Sequence, residues 1–316
     1  MPPRIARFAV VLGVLCAVCA LPRLAWADEH ALILWIGQYA DPRVRIVGLE
    51  RDATLARDIA QALGVPSANV VERSNSQLTH AGLKEALAEL KTRVRPGDGV
   101  LVYFSGHGRQ VQRVMGVGGC SEGLATFEGG IYFDLLLRDE LDALARQASR
   151  VVMFNDSCFS GGAVTKSFNL AGSPEPAPKT YPRGHESDPE AHAQYSAKGL
   201  AGVAASDSTG ANATCGVHVN PATKAFGALA QGSRQHGVLY LAGSAANEAA
   251  YPTPQGSVAT RAWAACLQDP GSANNSAGTL TGAALLTCAN AWIKRNSPYR
   301  QTITLVGNGQ LPLRRF

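Results

Sequence analysis

Two residues in this chain have the type and setting for acyl chemistry: a histidine and a cysteine, each placed among small residues where an apolar run stops. Val100 to Phe104 runs into Ser105-Gly106-His107-Gly108, and Val151 to Phe154 runs into Asn155-Asp156-Ser157-Cys158-Phe159-Ser160-Gly161-Gly162. A cysteine is a nucleophile as thiolate, a form that a nearby base or a helix N-terminus supplies. An imidazole across a cleft could take that proton, or act mainly as the acid that protonates a leaving amine. The developing oxyanion needs N–H donors, each worth on the order of 3 kcal/mol, and the amides of Cys158 and Gly108 are the candidates. Gly108 has no Cβ, so its backbone can come close to a substrate. The plainer readings are a hydrogen-bonded structural histidine and a buried inert thiol.

Both residues need strands to deliver them. If the two apolar runs are parallel neighbours in an open α/β sheet, their carboxyl ends lie side by side, where such sheets place ligands. The rest of the chain supports such a sheet. Ala31 to Ile36 has no polar face, as expected of a strand covered on both sides. Asp52 opens a helical pattern through Leu55, Ile59 and Leu63, closed by Gly64 and Pro66. Asn69 to Glu72 is a brief strand, and Thr79 begins a helix with Leu83, Leu87, Leu90 and Val94 on one face. Arg109 to Gly130 reads as a hairpin or loops over the sheet edge, and Arg138 to Ala148 as an amphipathic helix. Gly237 to Ala242 is a fifth strand, followed by helices over Ser257 to Leu267 and Leu280 to Lys294. Repeated strand–helix order predicts a mostly parallel central sheet with right-handed crossovers.

Residues 1–27 are expected to be a cleaved signal peptide. Arg4 and Arg7 precede an apolar run from Phe8 to Ala20, and Ala25-Trp26-Ala27 supplies small residues for cleavage. The run is shorter than the roughly 20 residues of a spanning helix, so a stable membrane anchor is not expected. The mature protein would be secreted or periplasmic. Loss of Arg4, Arg7 and Arg23, with no acids, lowers the formal charge from +5 to +2, which implies neither a nucleic-acid nor an acidic-lipid partner. Cys16 and Cys19 leave with the signal. Cys120, Cys215, Cys266 and Cys288 can pair in three ways, and Cys158 is the odd one out. Cys215-Gly216-Val217-His218 could be half of a zinc site, but the sequence offers no second half.

Between Thr165 and Lys198, five prolines among Gly, Ser, Glu and Ala leave little apolar surface to offset chain entropy, and a mobile surface segment is expected. The expected organisation is a catalytic part over 28–166, this segment and an unplaced insertion over 167–236, and a part completing the same domain over 237–316. Lys166, Lys179, Arg183 and Lys198 border or lie in the segment, where an enzyme with a basic preference could process itself.

Tyr103-Phe104-Ser105-Gly106-His107-Gly108 and Asp156-Ser157-Cys158-Phe159-Ser160-Gly161 resemble the two catalytic motifs of caspase-like cysteine peptidases (clan CD, family C14), above all the bacterial metacaspase and orthocaspase branch. The resemblance runs from Ala31 to about Gly162 and from Val238 through the helix after Gly256, including Ala246-Asn247-Glu248-Ala249-Ala250-Tyr251. It takes in Gln301-Thr302 to Leu305 as a closing segment.

It implies a caspase-haemoglobinase α/β fold, with helices on both faces of the sheet, and a His107–Cys158 dyad. It also implies cleavage after arginine or lysine, read by acids in the primary pocket. The matching positions are Asp52, within Glu50-Arg51-Asp52-Ala53, and Asp156, with Ser105 beside them. Two carboxylates suit a guanidinium and repel acidic substrates. The plainer reading of Asp52 is a helix N-cap. Phe159 stands where many metacaspases carry His. No organic cofactor is implied. Some members are calcium-activated, and the nearby acids are Asp134, Asp139, Glu140 and Asp142, although acids in a helix's first turn answer to the dipole alone.

The expected partners are peptides or proteins with Arg or Lys at the cleavage position, and the expected state is a monomer. The alternatives are a catalytically silent caspase-homologous scaffold, a latent precursor whose cleft is covered, and a related arginine- or lysine-specific or asparagine-specific peptidase of the same clan.

Overall fold

The structure is a computed structural model and describes residues 27–112, 120–158, 179, 237–245, 248–269 and 279–314. The expected signal peptide, the segment around Cys215 and Phe159 lie outside the described residues.

Six strands form the central sheet: β1 (Glu29–Trp35), β2 (Val70–Ser74), β3 (Gly99–Ser105), β7 (Arg150–Asp156), β8 (Val238–Ala242) and β9 (Thr304–Gly307). Their spatial order is β2-β1-β3-β7-β8-β9, parallel throughout except for β9, which runs antiparallel to β8. β3 and β7 are buried along their whole length, which explains why both read as continuous apolar runs rather than alternating ones. The region 109–130 forms a small antiparallel sheet of β4 (Gly108–Gln112), β5 (Cys120–Ala125) and β6 (Ile131–Phe133).

Helices α1 (Leu49–Ala62), α2 (His80–Arg93) and α3 (Asp134–Ala145) cross between the early strands, and α4 (Val258–Gln268) and α5 (Gly282–Asn296) follow β8. α1 packs on α4 and α4 on α5, while α2 packs on α3, giving two separate helical groups against one sheet. Thr79 and Thr281 cap α2 and α5, their hydroxyls accepting from Gly82 N at 3.0 Å and Ala284 N at 3.3 Å. Cys266 on α4 and Cys288 on α5 form a disulfide. No helix among the described residues is long and apolar enough to cross a membrane.

Two helix starts differ from expectation. α1 begins at Leu49, not Asp52, because Gly48 takes the N-cap with φ of 93° and turns the chain there. A side chain at Gly48 would also meet the Thr253 carbonyl at 2.8 Å. Asp52 is therefore no cap: it lies in the first turn of α1 and is fully buried. α3 begins four residues before Arg138, directly after β6, and so places Asp134 at its start.

Asp134 is buried, and among the described residues neither of its carboxylate oxygens has a hydrogen-bond partner. Burial pushes its carboxyl up to about 7. Between the ordinary carboxylate value of about 4 and that figure, the folded chain holds a proton that the unfolded chain has released. The stability this group contributes is thus fully present below pH ~4 and lost as pH rises through ~7. Asp134→Asn removes the titration. Thermal melts are expected to show the variant gaining on wild type from pH 5 to pH 8, by on the order of 2 kcal/mol at the upper end; parallel pH profiles would contradict this.

Candidate active site

The β3–β7 register pairs Ser105 with Asp156 at the carboxyl ends of the two strands. His107 and Cys158 each follow two residues later, so parallel pairing carries both past the same sheet edge. Their backbones meet there: a side chain at Gly108 would collide with the Cys158 carbonyl. Gly108→Ala must push these two segments apart, and a loss of peptide hydrolysis of about 100-fold or more is expected. Steady-state kinetics of the purified variant checks this; wild-type turnover would contradict the close approach.

The His107 ring is held from two sides. Nε2 lies 2.7 Å from the Val44 carbonyl, and the backbone N–H donates to the Tyr39 hydroxyl at 2.7 Å. The Tyr39 ring stands 5.0 Å away, tilted by 37°. A neutral imidazole that donates from Nε2 to Val44 keeps its lone pair on Nδ1. Burial, opposed by the Val44 and Lys179 backbone contacts and assisted by the Lys179 charge, lowers the imidazole to about 4, so it is neutral at pH 7. Cys158 is a buried thiol. Its sulfur accepts the Ala250 N–H at 3.1 Å, a contact that favours the thiolate. Gln301 ties the flanking loops together: its Nε2 donates to the Gly243 carbonyl at 2.7 Å, and its Oε1 accepts the Tyr251 N–H at 3.1 Å.

Beside this pair lies a buried acidic pocket built from α1, β3 and β7. The Ser105 hydroxyl donates to Asp52 Oδ2 at 2.6 Å, and Ser257 donates its N–H to Asp52 Oδ1 at 2.5 Å. Asp156 Oδ2 accepts from Thr260, from the N–H at 3.2 Å and the hydroxyl at 2.5 Å. Burial and the neighbouring Asp52 charge push the Asp156 carboxyl up, against the pull of Lys179.

The pocket holds a cation from the same chain. Lys179, from the segment expected to run over the surface, has no exposed area. Its Nζ is 2.7 Å from Ser105 Oγ, 3.0 Å from the Asp156 carbonyl, and 3.2 Å from both Asp52 Oδ2 and Asp156 Oδ1. Its backbone is held as well: Lys179 N–H donates to the Ala250 carbonyl at 3.0 Å, and Gly108 N–H donates to the Lys179 carbonyl at 2.9 Å. The structure thus gathers His107, Gly108, Cys158, Asp52, Ser105 and Asp156 around the carboxyl ends of β3 and β7 and the Lys179 they surround.

Sequence reasoning missed Val44, Tyr39, Ala250, Ser257 and Thr260. Val44 and Ala250 act through backbone atoms, which residue type does not report, and Ser257 and Thr260 pass for an ordinary helix start.

The acids considered for calcium do not fit a cage. Asp139 pairs with Arg138 at 2.6 Å, Glu140 with Lys91 at 2.5 Å and Asp142 with Arg146 at 2.6 Å, while Asp134 alone lies in the first turn. Among the described residues no group of three or more His, Cys, Asp or Glu could hold a metal.

Helices on a mostly parallel sheet, with a histidine and a cysteine at neighbouring strand ends, define the architecture of a caspase-like peptidase. Residues 28–310 match the caspase domain of peptidase family C14, and the chain belongs to that family of cysteine-type peptidases, which act on peptide and protein substrates. Among solved structures it is similar to protein GSU0716 from Geobacter sulfurreducens, at 18% identity over 92% of this chain and 98% of the other, with a TM-score of 0.57. It is also similar to caspase-1 from Spodoptera frugiperda, at 13% identity over 92% and 90% of the two chains, with a TM-score of 0.52. Both likenesses show the fold. No curated protein matches.

Proposed function

We propose that this chain is a secreted or periplasmic cysteine endopeptidase of metacaspase type that cleaves after lysine or arginine. The observation that carries the reading is the seating of Lys179. A basic side chain enters the acidic pocket, its N–H reaches Ala250, and its carbonyl sits on the Gly108 amide. Those are the three contacts that a residue on the amino side of a scissile bond requires.

In this reading His107 Nδ1 takes the Cys158 proton, and the sulfur attacks the substrate carbonyl carbon. The Gly108 N–H, with the Cys158 N–H beside it, carries the oxyanion. As the intermediate collapses, His107 returns the proton to the departing amine and leaves an acyl-enzyme. Water, deprotonated by the same imidazole, then releases the acid and the thiol. Asp52 and Asp156 supply the charge that selects a cation, and Ser105 orients it. The chemistry requires no organic cofactor and proceeds in a monomer. The Cys266–Cys288 pair suits the oxidising compartment that an exported protein meets.

The filled pocket also favours the latent form of this reading, in which the chain covers its own cleft until the segment is cut or leaves. Hydrolysis of three fluorogenic peptides that differ only in their last residue (Lys, Arg or Asp) tests the proposal, with Lys179→Ala beside wild type. Turnover of the basic peptides, higher in Lys179→Ala than in uncut wild type, is expected. Turnover of the aspartyl peptide alone would replace the reading with an acid-specific one, and none by either folded protein would favour the silent scaffold.

A further inference from the structure

Each carboxylate of the pocket is partly committed before a substrate arrives. Asp52 Oδ1 is taken by the Ser257 N–H at 2.5 Å, and Asp156 Oδ2 by the Thr260 N–H and hydroxyl at 3.2 and 2.5 Å. The Ser257 hydroxyl bonds Asp52 Oδ2 as well. Ser257 caps α4 and Thr260 lies in its first turn, so one short stretch of helix fixes both acids. Behind Thr260 the Tyr103 hydroxyl lies 2.6 Å from Thr260 Oγ1, and a chain from Tyr103 through Thr260 to Asp156 orients that carboxylate.

One oxygen of each acid faces the cation, Asp156 Oδ1 and Asp52 Oδ2, the latter shared with the Ser105 and Ser257 hydroxyls, and both lie 3.2 Å from Lys179 Nζ. The Ser105 hydroxyl at 2.7 Å and the Asp156 carbonyl at 3.0 Å complete the set. The Ser105 proton is directed to Asp52, so its lone pairs face the cation. Four oxygens from separate groups converge on a single nitrogen, an arrangement that suits a compact ammonium with its three rotatable N–H donors.

A guanidinium asks for something else. It binds best through two parallel N–H···O bonds to both oxygens of one carboxylate, and here the α4 donors hold the second oxygen of each. Arginine is also one atom longer to its terminal nitrogens. The lysine nitrogen already contacts Ser105 Oγ and the Asp156 carbonyl, so the longer side chain must displace one of these groups or sit higher.

We infer that this pocket selects lysine over arginine, with Ser257 and Thr260 as positioning residues that fix which carboxylate oxygens face the substrate. The inference rests on the basic-residue reading above and sharpens it.

The test uses the full chain carrying Lys179→Ala, which empties the pocket, and two fluorogenic peptides identical except for Lys or Arg at the cleaved bond. The expected kcat/KM is at least tenfold higher for lysine. Adding Thr260→Val removes the hydroxyl donor while keeping the backbone N–H and the side-chain shape; it is expected to narrow the lysine-to-arginine ratio, and Thr260→Ser to restore it. A fold defect alone would lower both rates and leave their ratio unchanged.

Calorimetric binding of product peptides ending in Lys or Arg to the Lys179→Ala/Cys158→Ala chain reads the same preference without turnover. Arginine bound and cut as well as lysine, or better, would overturn the inference and leave the basic-residue reading standing. A ratio unmoved by Thr260→Val would remove Thr260 from it. If neither basic peptide is bound or cut, the reading and the inference fall together.

Discussion

Purified wild-type chain is expected to carry a cut after Lys179, and Cys158→Ala is expected to remain whole. The carbonyl of Lys179 rests on the Gly108 amide, and Gly108 lies against the Cys158 backbone, so the Lys179 carbonyl occupies the oxyanion position proposed above. An intramolecular substrate held at both backbone and side chain reacts at effective concentrations of about 10⁵ M or more when its geometry is near attack. Cleavage should therefore precede any action on a second molecule. Intact-mass spectrometry during expression and storage reads the result directly: a new carboxyl terminus at Lys179 in wild type, one uncut species in Cys158→Ala, and loss of that terminus in Lys179→Ala. A wild-type chain that stays whole while it hydrolyses lysyl peptides would make the segment a plug rather than a substrate.

Asp156→Asn is expected to cost about 100- to 1,000-fold in kcat/KM on lysyl peptides, chiefly through KM. Removing one charge of a buried ion pair costs about 2–5 kcal/mol, and here both partners are fully buried. Asparagine keeps an oxygen for the Thr260 donors, so the pocket wall remains while its charge goes. Alkylation of Cys158 by a small neutral reagent should then proceed as in wild type, which separates a pocket defect from a damaged nucleophile.

The pH dependence follows from the same carboxyl. Burial and the nearby Asp52 charge hold Asp156 above the usual carboxylate range, so acidification neutralises it early and weakens cation binding. KM for a lysyl peptide should rise as pH falls, at a pH above that of an ordinary carboxylate, and Asp156→Asn should flatten that rise. A KM profile identical in both proteins would place the titration elsewhere.

Much of this site can be read from residue order because its parts sit at strand ends. His107 and Cys158 each end a continuous apolar run, and parallel pairing of two such runs leaves little choice about where their ends go. Asp52 and α3 show where local signals run out. An acid near a helix start reads as a cap unless the preceding glycine is known to take positive φ and cap the helix itself, as Gly48 does.

Lys179 shows a harder limit. Its proline-rich surroundings contain no periodic pattern, and its burial comes from contacts with Asp52 and Ser105, which lie 127 and 74 residues away in the chain. No window of sequence holds both partners. Ser257 and Thr260 are hidden in the same way, since their role depends on carboxylates that only the fold brings to them.

The central claim is that Cys158 is acylated by a substrate whose basic side chain fills the Asp52–Asp156 pocket. Incubating the Lys179→Ala chain with a peptidyl-lysine acyloxymethyl ketone, then mapping the adduct by peptide mass spectrometry, tests it most directly. The account predicts one adduct, on Cys158, formed far faster than with the matching aspartyl reagent and slowed in Asp156→Asn. Equal labelling by the lysyl and aspartyl reagents, or an adduct on a different residue, would contradict it.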